Sequence, residues 1–131
     1  MGSAIALLGL FSGERFSYAR ALYNPLSPIS VVVERVAREL ACFEGLDRSY
    51  RAFVEGLGEV EIFGVCRVDR AIVNGAEVDV VAVLHVAKVL EGKPQFDAVL
   101  GRDLGVAWGL YVDPLTNSVK SLYGKPVERR Y

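Results

Sequence analysis

Apolar and polar residues alternate with a period of two over much of the chain, which predicts a mostly β protein. Two apolar runs, residues 3–10 and 16–23, flank the segment FSGER, and this arrangement predicts an opening hairpin with a glycine in its loop. The alternation in EVEIFGVCRV, residues 59–68, predicts a strand with one face toward solvent. Valine occurs 20 times, and its branched side chain favours strands over helices.

A second hairpin is predicted around the dipeptide Asn74-Gly75, because both residues tolerate the positive φ of a type I′ turn. Residues 65–73 and 76–86 should pair across it. The clearest helix follows residue 32, where apolar residues recur at i, i+3, i+4 and i+7 (Val33, Val36, Ala37 and Leu40). A short buried strand with a second short helix after Gly101, then the strand LYVD, the turn DPLTN and a last strand, complete the predicted order.

Length and composition indicate one globular domain, residues 1–131, that folds without metal or cofactor. Apolar residues make up 52% of the chain, an excess that suits a partner surface and predicts homo-oligomerisation. The net charge of −1 provides no field that would hold nucleic acid or an anionic membrane. The basic segment KPVERRY at the end of the sequence is predicted to be a solvated tail.

The first apolar run, AIALLGL, is too short to span a membrane and has no basic residue before it, so a cytoplasmic protein is expected. Cys42 and Cys66 lack the spacing of a metal site and are expected to be small, buried, unbridged residues. One Gln, one Met and three Asn are few thermolabile side chains, which hints at a thermophilic source. In such a source an intracellular disulfide becomes more credible.

The order of these elements resembles the single-lobed retropepsin-like aspartic proteases, including their archaeal relatives. The resemblance covers roughly residues 3–122 and rests on the loop ALYNPLSPISVV (21–32), the helix ERVAREL and the long second hairpin. Its most specific element is VLGRDL, about 75 residues after the loop. The resemblance implies a closed barrel or sandwich of antiparallel hairpins with one or two short helices.

In this family the catalytic loop contains Asp-Thr/Ser-Gly followed by Ala or Ser, and here those positions hold Asn24, Pro25, Leu26 and Ser27. Aspartic protease chemistry needs two carboxylates, one per subunit, that share a proton and a water. The Asn24 amide exchanges no proton near neutral pH, Pro25 lacks a hydroxyl, and Leu26 adds bulk where glycine permits close approach. The resemblance therefore implies a pseudo-active site with no catalytic residue. An ordinary proline-rich turn with no catalytic ancestry is the alternative interpretation.

Other residues with reactive side chains favour structural roles. Arg102 and Asp103 stand where a strand joins a helix and are predicted to support the fold, as the arginine does in the resembled family. Asp97, Asp103 and Asp113 could supply a relocated acid–base pair, but their spacing sets no shared geometry. His85 lacks metal-ligand partners and is expected to be a half-buried strand residue, so no metal site is predicted.

Three functional hypotheses follow. The first is an inactive dimeric module that binds an extended peptide, with the turn EGLGEV as a flap and residues 118–131 joining a dimer sheet as the resemblance implies. The second is a hydrolase that uses relocated carboxylates. The third is a structural subunit of a larger assembly.

Overall fold

The computed structural model describes residues 4–127, in which ten strands hydrogen-bond into one sheet and two more form a small second sheet. The strands are β1 (Ala4–Ser12), β2 (Arg15–Tyr23), β3 (Val31–Val33), β4 (Phe43–Val54), β5 (Gly58–Val68), β6 (Arg70–Val73), β7 (Ala76–Val78), β8 (Ala82–Val89), β9 (Ala98–Leu100), β10 (Leu110–Val112), β11 (Val119–Ser121) and β12 (Lys125–Pro126). The helices are α1 (Glu34–Leu40) and α2 (Arg102–Ala107). Neither helix of this region has the length and apolar character needed to cross a membrane.

Both predicted hairpins are present, and the mostly β prediction is confirmed. Strands β1 and β2 pair in one unbroken antiparallel register, from Ala4 opposite Tyr23 to Ser12 opposite Arg15. Asn74 and Gly75 have φ values of 47° and 86°, the left-handed conformation that the turn between β6 and β7 requires. Strands β5 and β8 continue the same hairpin, so residues 65–73 pair with residues 76–86 as predicted.

The large sheet has the order β12-β7-β6-β1-β2-β9-β3-β8-β5-β4. Within residues 4–127 this order is linear, so the sheet ends at β12 and β4, whereas the expected barrel would close. Strand β9 lies between β2 and β3, parallel to β2 and antiparallel to β3. The segment between β2 and β3, residues 24–30, must therefore pass around one end of β9.

Apolar side chains form two cores. The larger one joins the inner faces of β1, β2, β6 and β8 to both helices and contains Trp108, which is fully buried and donates its indole N–H to the Val80 carbonyl over 3.2 Å. The second core contains Leu22, Val31, Val54, Leu57, Val60, Ile62, Ala87, Phe96 and Val99. It places the turn between β4 and β5 against the strands next to residues 24–30.

Strand β4 carried no prediction, because its sequence FEGLDRSYRAFV does not alternate cleanly. Most of its residues are exposed, and its pairing with β5 is interrupted between Gly45 and Tyr50. An edge strand with little burial shows no clear hydrophobic period. The strand is identified only by its backbone pairing with β5.

Cys42 and Cys66 form a disulfide, so the expectation of two unbridged cysteines is wrong. Ala41 ends α1 with a φ of 50°, and this left-handed cap turns the chain so that Phe43 pairs with Cys66 at the start of β4. The two cysteine Cα atoms then lie 4.9 Å apart, within the range that a disulfide spans. The sequence could not show this proximity, because it arises from the pairing of β4 with β5.

Reduction of the Cys42–Cys66 disulfide should lower the free energy of unfolding by about 3 to 4 kcal/mol, because the bond closes a loop between residues 24 positions apart. Urea unfolding with and without a reductant measures this change. The double variant Cys42→Ala/Cys66→Ala should unfold at the same urea concentration in both conditions. Equal stability of the oxidised and reduced wild-type protein would contradict the prediction.

Candidate functional site

The loop of residues 24–30 is held against the end of β9 by backbone hydrogen bonds. The Asn24 N–H donates to the Leu100 carbonyl over 2.9 Å, and the Arg102 N–H donates to the Ser27 carbonyl over 2.7 Å. These two bonds join the loop to the residues just before and just after Gly101. The predicted loop and the predicted VLGRDL segment, about 75 residues apart in sequence, are therefore in direct contact.

Asn24 is buried and its side chain organises the turn that follows it. Its Oδ1 accepts a hydrogen bond from the Leu26 N–H over 3.0 Å, and its carbonyl accepts one from the Ser27 N–H over 3.0 Å. This is the local pattern by which Asn stabilises a turn two residues ahead. Only 7% of Asn24 is exposed, whereas Leu26 at the tip is 86% exposed. The Asn24 Oδ1 and backbone carbonyl at the base of the loop are thus satisfied within the loop.

Ser30 and Asp103 form a buried polar junction behind the loop that the sequence analysis missed. Ser30 is fully buried, and both its N–H and its hydroxyl donate to the Asp103 carboxylate, the N–H over 3.1 Å. The Ser30 Oγ also accepts the Gly101 N–H over 2.8 Å, and its carbonyl accepts the His85 N–H over 2.9 Å. Ser30 thereby connects the loop to β8, to Gly101 and to α2. A serine that interrupts an apolar run was the only sequence signal.

Gly101 is required by the close approach of two backbones. A Cβ at this position would lie 2.3 Å from the Ile29 carbonyl oxygen and 2.6 Å from that of Ser27. These contacts are with backbone atoms, which cannot rotate away as a side chain would. Any side chain at residue 101 would therefore push the loop away from β9.

The turn between β4 and β5 lies over the apolar surface beside the loop. Leu57 in this turn is 4% exposed, and the backbone of Gly56 packs so closely that a Cβ would lie 3.1 Å from Leu22 Cδ2 and 3.2 Å from Phe96 Cδ2. Glu55 Oε2 lies 3.5 Å from Asn24 Nδ2, at the limit of hydrogen bonding. This turn, EGLGEV, which the sequence predicted to be a flap, packs against the apolar surface of its own chain.

The side chains of Arg102 and Asp103 do not act as a pair, although the two residues are adjacent in sequence. The Asp103 carboxylate binds Ser30 and the Leu104 N–H, which it accepts over 2.7 Å. The Arg102 side chain is exposed and has no ion pair among residues 4–127. Asp103 therefore joins helix to loop through Ser30, and its predicted support of the fold stays a prediction.

The three carboxylates considered for acid–base chemistry bind separate partners. Asp97 accepts the Arg20 N–H over 2.9 Å and pairs with the Arg35 guanidinium over 3.2 Å. Asp113 pairs with Lys120 over 2.6 Å, and the hydrogen bond from Lys120 is the main cause of its lowered pKa. A general acid at neutral pH needs a raised pKa instead. None of the three shares a hydrogen-bond partner with another in the described part of the chain.

Two further side chains near the loop, those of His85 and Tyr23, are half-buried and buried respectively. His85 is half-buried in β8 as predicted, and its Nδ1 has no hydrogen-bond partner among the described residues. Burial raises the pKa of Tyr23, whose hydroxyl donates weakly to the Leu110 carbonyl over 3.4 Å. Across residues 4–127, no group of three or more His, Cys, Asp or Glu residues is arranged to hold a metal ion.

Ser30→Ala should lower the free energy of unfolding by about 1–3 kcal/mol, because it leaves the buried Gly101 N–H and part of the Asp103 carboxylate unsatisfied. Ser27→Ala is the matched control, since it removes only the bond from Ser27 Oγ to the Ile29 carbonyl. Urea denaturation of both variants measures the difference. If the two substitutions lower the free energy of unfolding equally, Ser30 does not connect the loop to Gly101 and α2.

Comparison with known proteins supports the fold. No family model matches the sequence, and no curated protein matches it. The crystal structure of the retroviral protease-like domain of Ddi1 from Leishmania major superposes with a TM-score of 0.59 and 16% identity, over 96% of this chain and 94% of that one. At this identity the similarity shows the fold alone. The chain therefore has the mostly β, retropepsin-like aspartic protease fold that its sequence predicted.

Proposed function

We propose that this protein is a catalytically inactive, aspartic-protease-like domain that binds an extended peptide segment as a homodimer. The observation that carries the proposal is the use of the Asn24 side chain, which stabilises its own turn through the Leu26 N–H. In the resembled protease loop, this position holds the aspartate that works with its counterpart in the second subunit. An amide there neither gives nor takes a proton near neutral pH.

The residues after Asn24 support the same proposal. Pro25 provides neither a hydroxyl nor an N–H for contacts between two copies of the loop. Leu26 places a large exposed side chain at the tip, where the family pattern has glycine. The nearby carboxylates of Asp97 and Asp103 are already bound by Arg35 and by Ser30. Asp97, Asp103 and Asp113 bind separate partners, so these three form no carboxylate pair that would replace the missing aspartate.

Peptide binding is supported by the free edge of the sheet. Strand β4 is 12 residues long and is the last strand in the order of the large sheet, so one side of it has no strand partner among residues 4–127. An exposed strand edge can accept an extended peptide through main-chain hydrogen bonds, which do not depend on catalytic acids. The adjoining turn at Leu57 covers apolar residues that would provide side-chain contacts once the turn lifts.

Dimerisation through the loop would have to accommodate the bulk of Leu26 at its tip, where the family pattern has glycine. Leu26 exposes 86% of its surface and would be buried if two copies met at their loops. The other predicted contact, a sheet formed by residues 118–131, remains a prediction. Strand β11 pairs with β10 and strand β12 pairs with β7 within the same chain, and residues 128–131 lie outside the described residues.

Wild-type protein incubated with a diverse peptide library should retain extended peptides and cleave none of them. Mass spectrometry of the retained peptides and of new fragments, from acid to neutral pH, measures both outcomes. Leu57→Ala should increase retention, because it weakens the packing that holds the turn over the apolar surface. Leu115→Ala, at a residue 93% exposed, is the control that should change nothing.

The other outcomes assign the protein to a different class. New fragments that disappear in Asp97→Asn or Asp103→Asn would refute the proposal and indicate a hydrolase with relocated carboxylates. If peptides are neither retained nor cleaved, the proposal is also refuted and a structural subunit is favoured.

The triple variant Asn24→Asp/Pro25→Thr/Leu26→Gly should gain peptidase activity with an acid optimum, because it restores the carboxylate, hydroxyl and glycine of the family loop. Fragment analysis with the same library measures the gain. The control, Pro25→Thr/Leu26→Gly with Asn24 retained, should remain inactive. If both variants cleave the peptide library to the same extent, Asn24 does not occupy the catalytic position.

A further inference from the structure

Arg51 lies on β4, the last strand in the order of the large sheet. Its side chain is exposed and makes no ion pair among residues 4–127. The neighbouring carboxylate of Glu61 accepts the Ser49 hydroxyl over 2.7 Å instead. The arginine guanidinium is a planar fork of N–H donors that matches the geometry of a carboxylate. Within the described part of the chain, these donors are therefore available to a carboxylate that a partner supplies.

A row of alternating charges crosses the sheet and ends at Arg51. Arg51 lies directly opposite Glu61 on β5, and Glu61 lies directly opposite Lys88 on β8. Opposed residues of an antiparallel pair have Cβ atoms about 4.5–5.5 Å apart, and opposite charges at such positions stabilise the pairing. Toward the edge the row is positive, negative and positive. A strand added beyond β4 would continue the alternation if it placed a negative charge opposite Arg51.

The other face of the same segment is apolar. Tyr50 lies opposite Ile62, and Ala52 lies opposite Val60. Ile62 and Val60 are fully buried in the second core, and Ala52 packs against that core from β4. Tyr50 is 46% exposed. An added strand with apolar residues next to Tyr50 and Ala52 would therefore extend the second core and remove apolar surface from water.

A second copy of this part of β4 does not supply the negative charge. The pairing of β4 with β5 is regular from Tyr50 to Val54 and is interrupted before it, between Gly45 and Tyr50. The regular segment YRAFV contains no acidic residue. Paired with itself, it would place Arg51 opposite another Arg51 or an uncharged side chain, and like charges directly opposite each other are destabilising. The segment therefore favours a different chain over its own copy.

We propose that β4 selects extended peptides that place an acidic residue opposite Arg51 and apolar residues opposite Tyr50 and Ala52. This inference rests on the proposed peptide binding at the edge of the sheet and adds its specificity. The peptide docks antiparallel to β4, and its main chain bonds to the N–H and C=O groups that alternate residues of an edge strand direct outward. Main-chain bonds accept any sequence, so the choice among sequences falls to Arg51 and the apolar face.

Nuclear magnetic resonance titration of the isotope-labelled protein tests both the place of binding and the preference. The probes are capped peptides that contain Thr-Val-Glu-Val, Thr-Val-Gln-Val or Thr-Val-Lys-Val between identical Ser-Gly flanks. Shifts of the amide signals of residues 50–54 locate the binding. The Glu peptide should bind about two- to fivefold more tightly than the Gln peptide, and the Lys peptide should bind most weakly. These differences should shrink at high salt, because the charges are exposed.

Substitution of Arg51 should change the order of affinities. Arg51→Gln should make the Glu and Gln peptides bind alike, and Arg51→Glu should make the Lys peptide bind most tightly. Arg67→Glu is the matched control, because it makes the same change at another exposed arginine that has no ion pair among residues 4–127. Arg67 lies on β5 opposite Val83 of β8, so its substitution should leave the order unchanged. Thermal melting verifies that each variant is folded.

The outcomes separate this inference from the function on which it rests. If no peptide shifts the signals of residues 50–54, peptide binding at the sheet edge is refuted and the inference is refuted with it. If the three peptides bind there equally, or if Arg67→Glu changes their order as Arg51→Glu does, peptide binding stands and the charge preference is refuted. Shifts of the same signals when the protein alone is concentrated would indicate that a second copy occupies the edge, which also overturns the inference.

Discussion

The position of β9 between β2 and β3 is the constraint on which the rest of the structure depends. Two strands that follow each other in sequence are separated by a third, so the segment between them must pass around the end of that third strand. The crossing is closed by the hydrogen bonds of Ser30 with Asp103 and Gly101, and it leaves room for no Cβ at Gly101. Loss of this junction would free the loop, β9 and α2 together.

The same junction sets the shape of the loop without help from a second copy of the chain. The conformation of residues 24–30 is set from behind by Ser30 and from within by the Asn24 turn, and none of these bonds needs a second copy of the chain. A protease loop of the resembled type depends on contacts across a dimer axis. Independence from those contacts is consistent with a fold retained for binding after its acids were lost, which is the function we propose.

The free edge of the large sheet is the surface on which the proposed peptide binding depends. The edge of β4 and the adjoining turn offer main-chain groups and a covered apolar core, which suit an extended peptide. The disulfide at Cys42 fixes the start of β4, so the edge strand remains attached to the body of the sheet despite its limited burial.

The sequence by itself determined the local elements, because strand period, helix period and turn chemistry depend on neighbours a few residues away. It therefore predicted the hairpins, α1, the turn at Asn74 and the likeness of two distant segments to a protease fold. The tertiary structure alone decided which distant residues meet: Cys42 with Cys66 and Ser30 with Asp103. Each of these contacts depends on which strands pair, and the choice of pairing partner leaves no periodic signal in either segment.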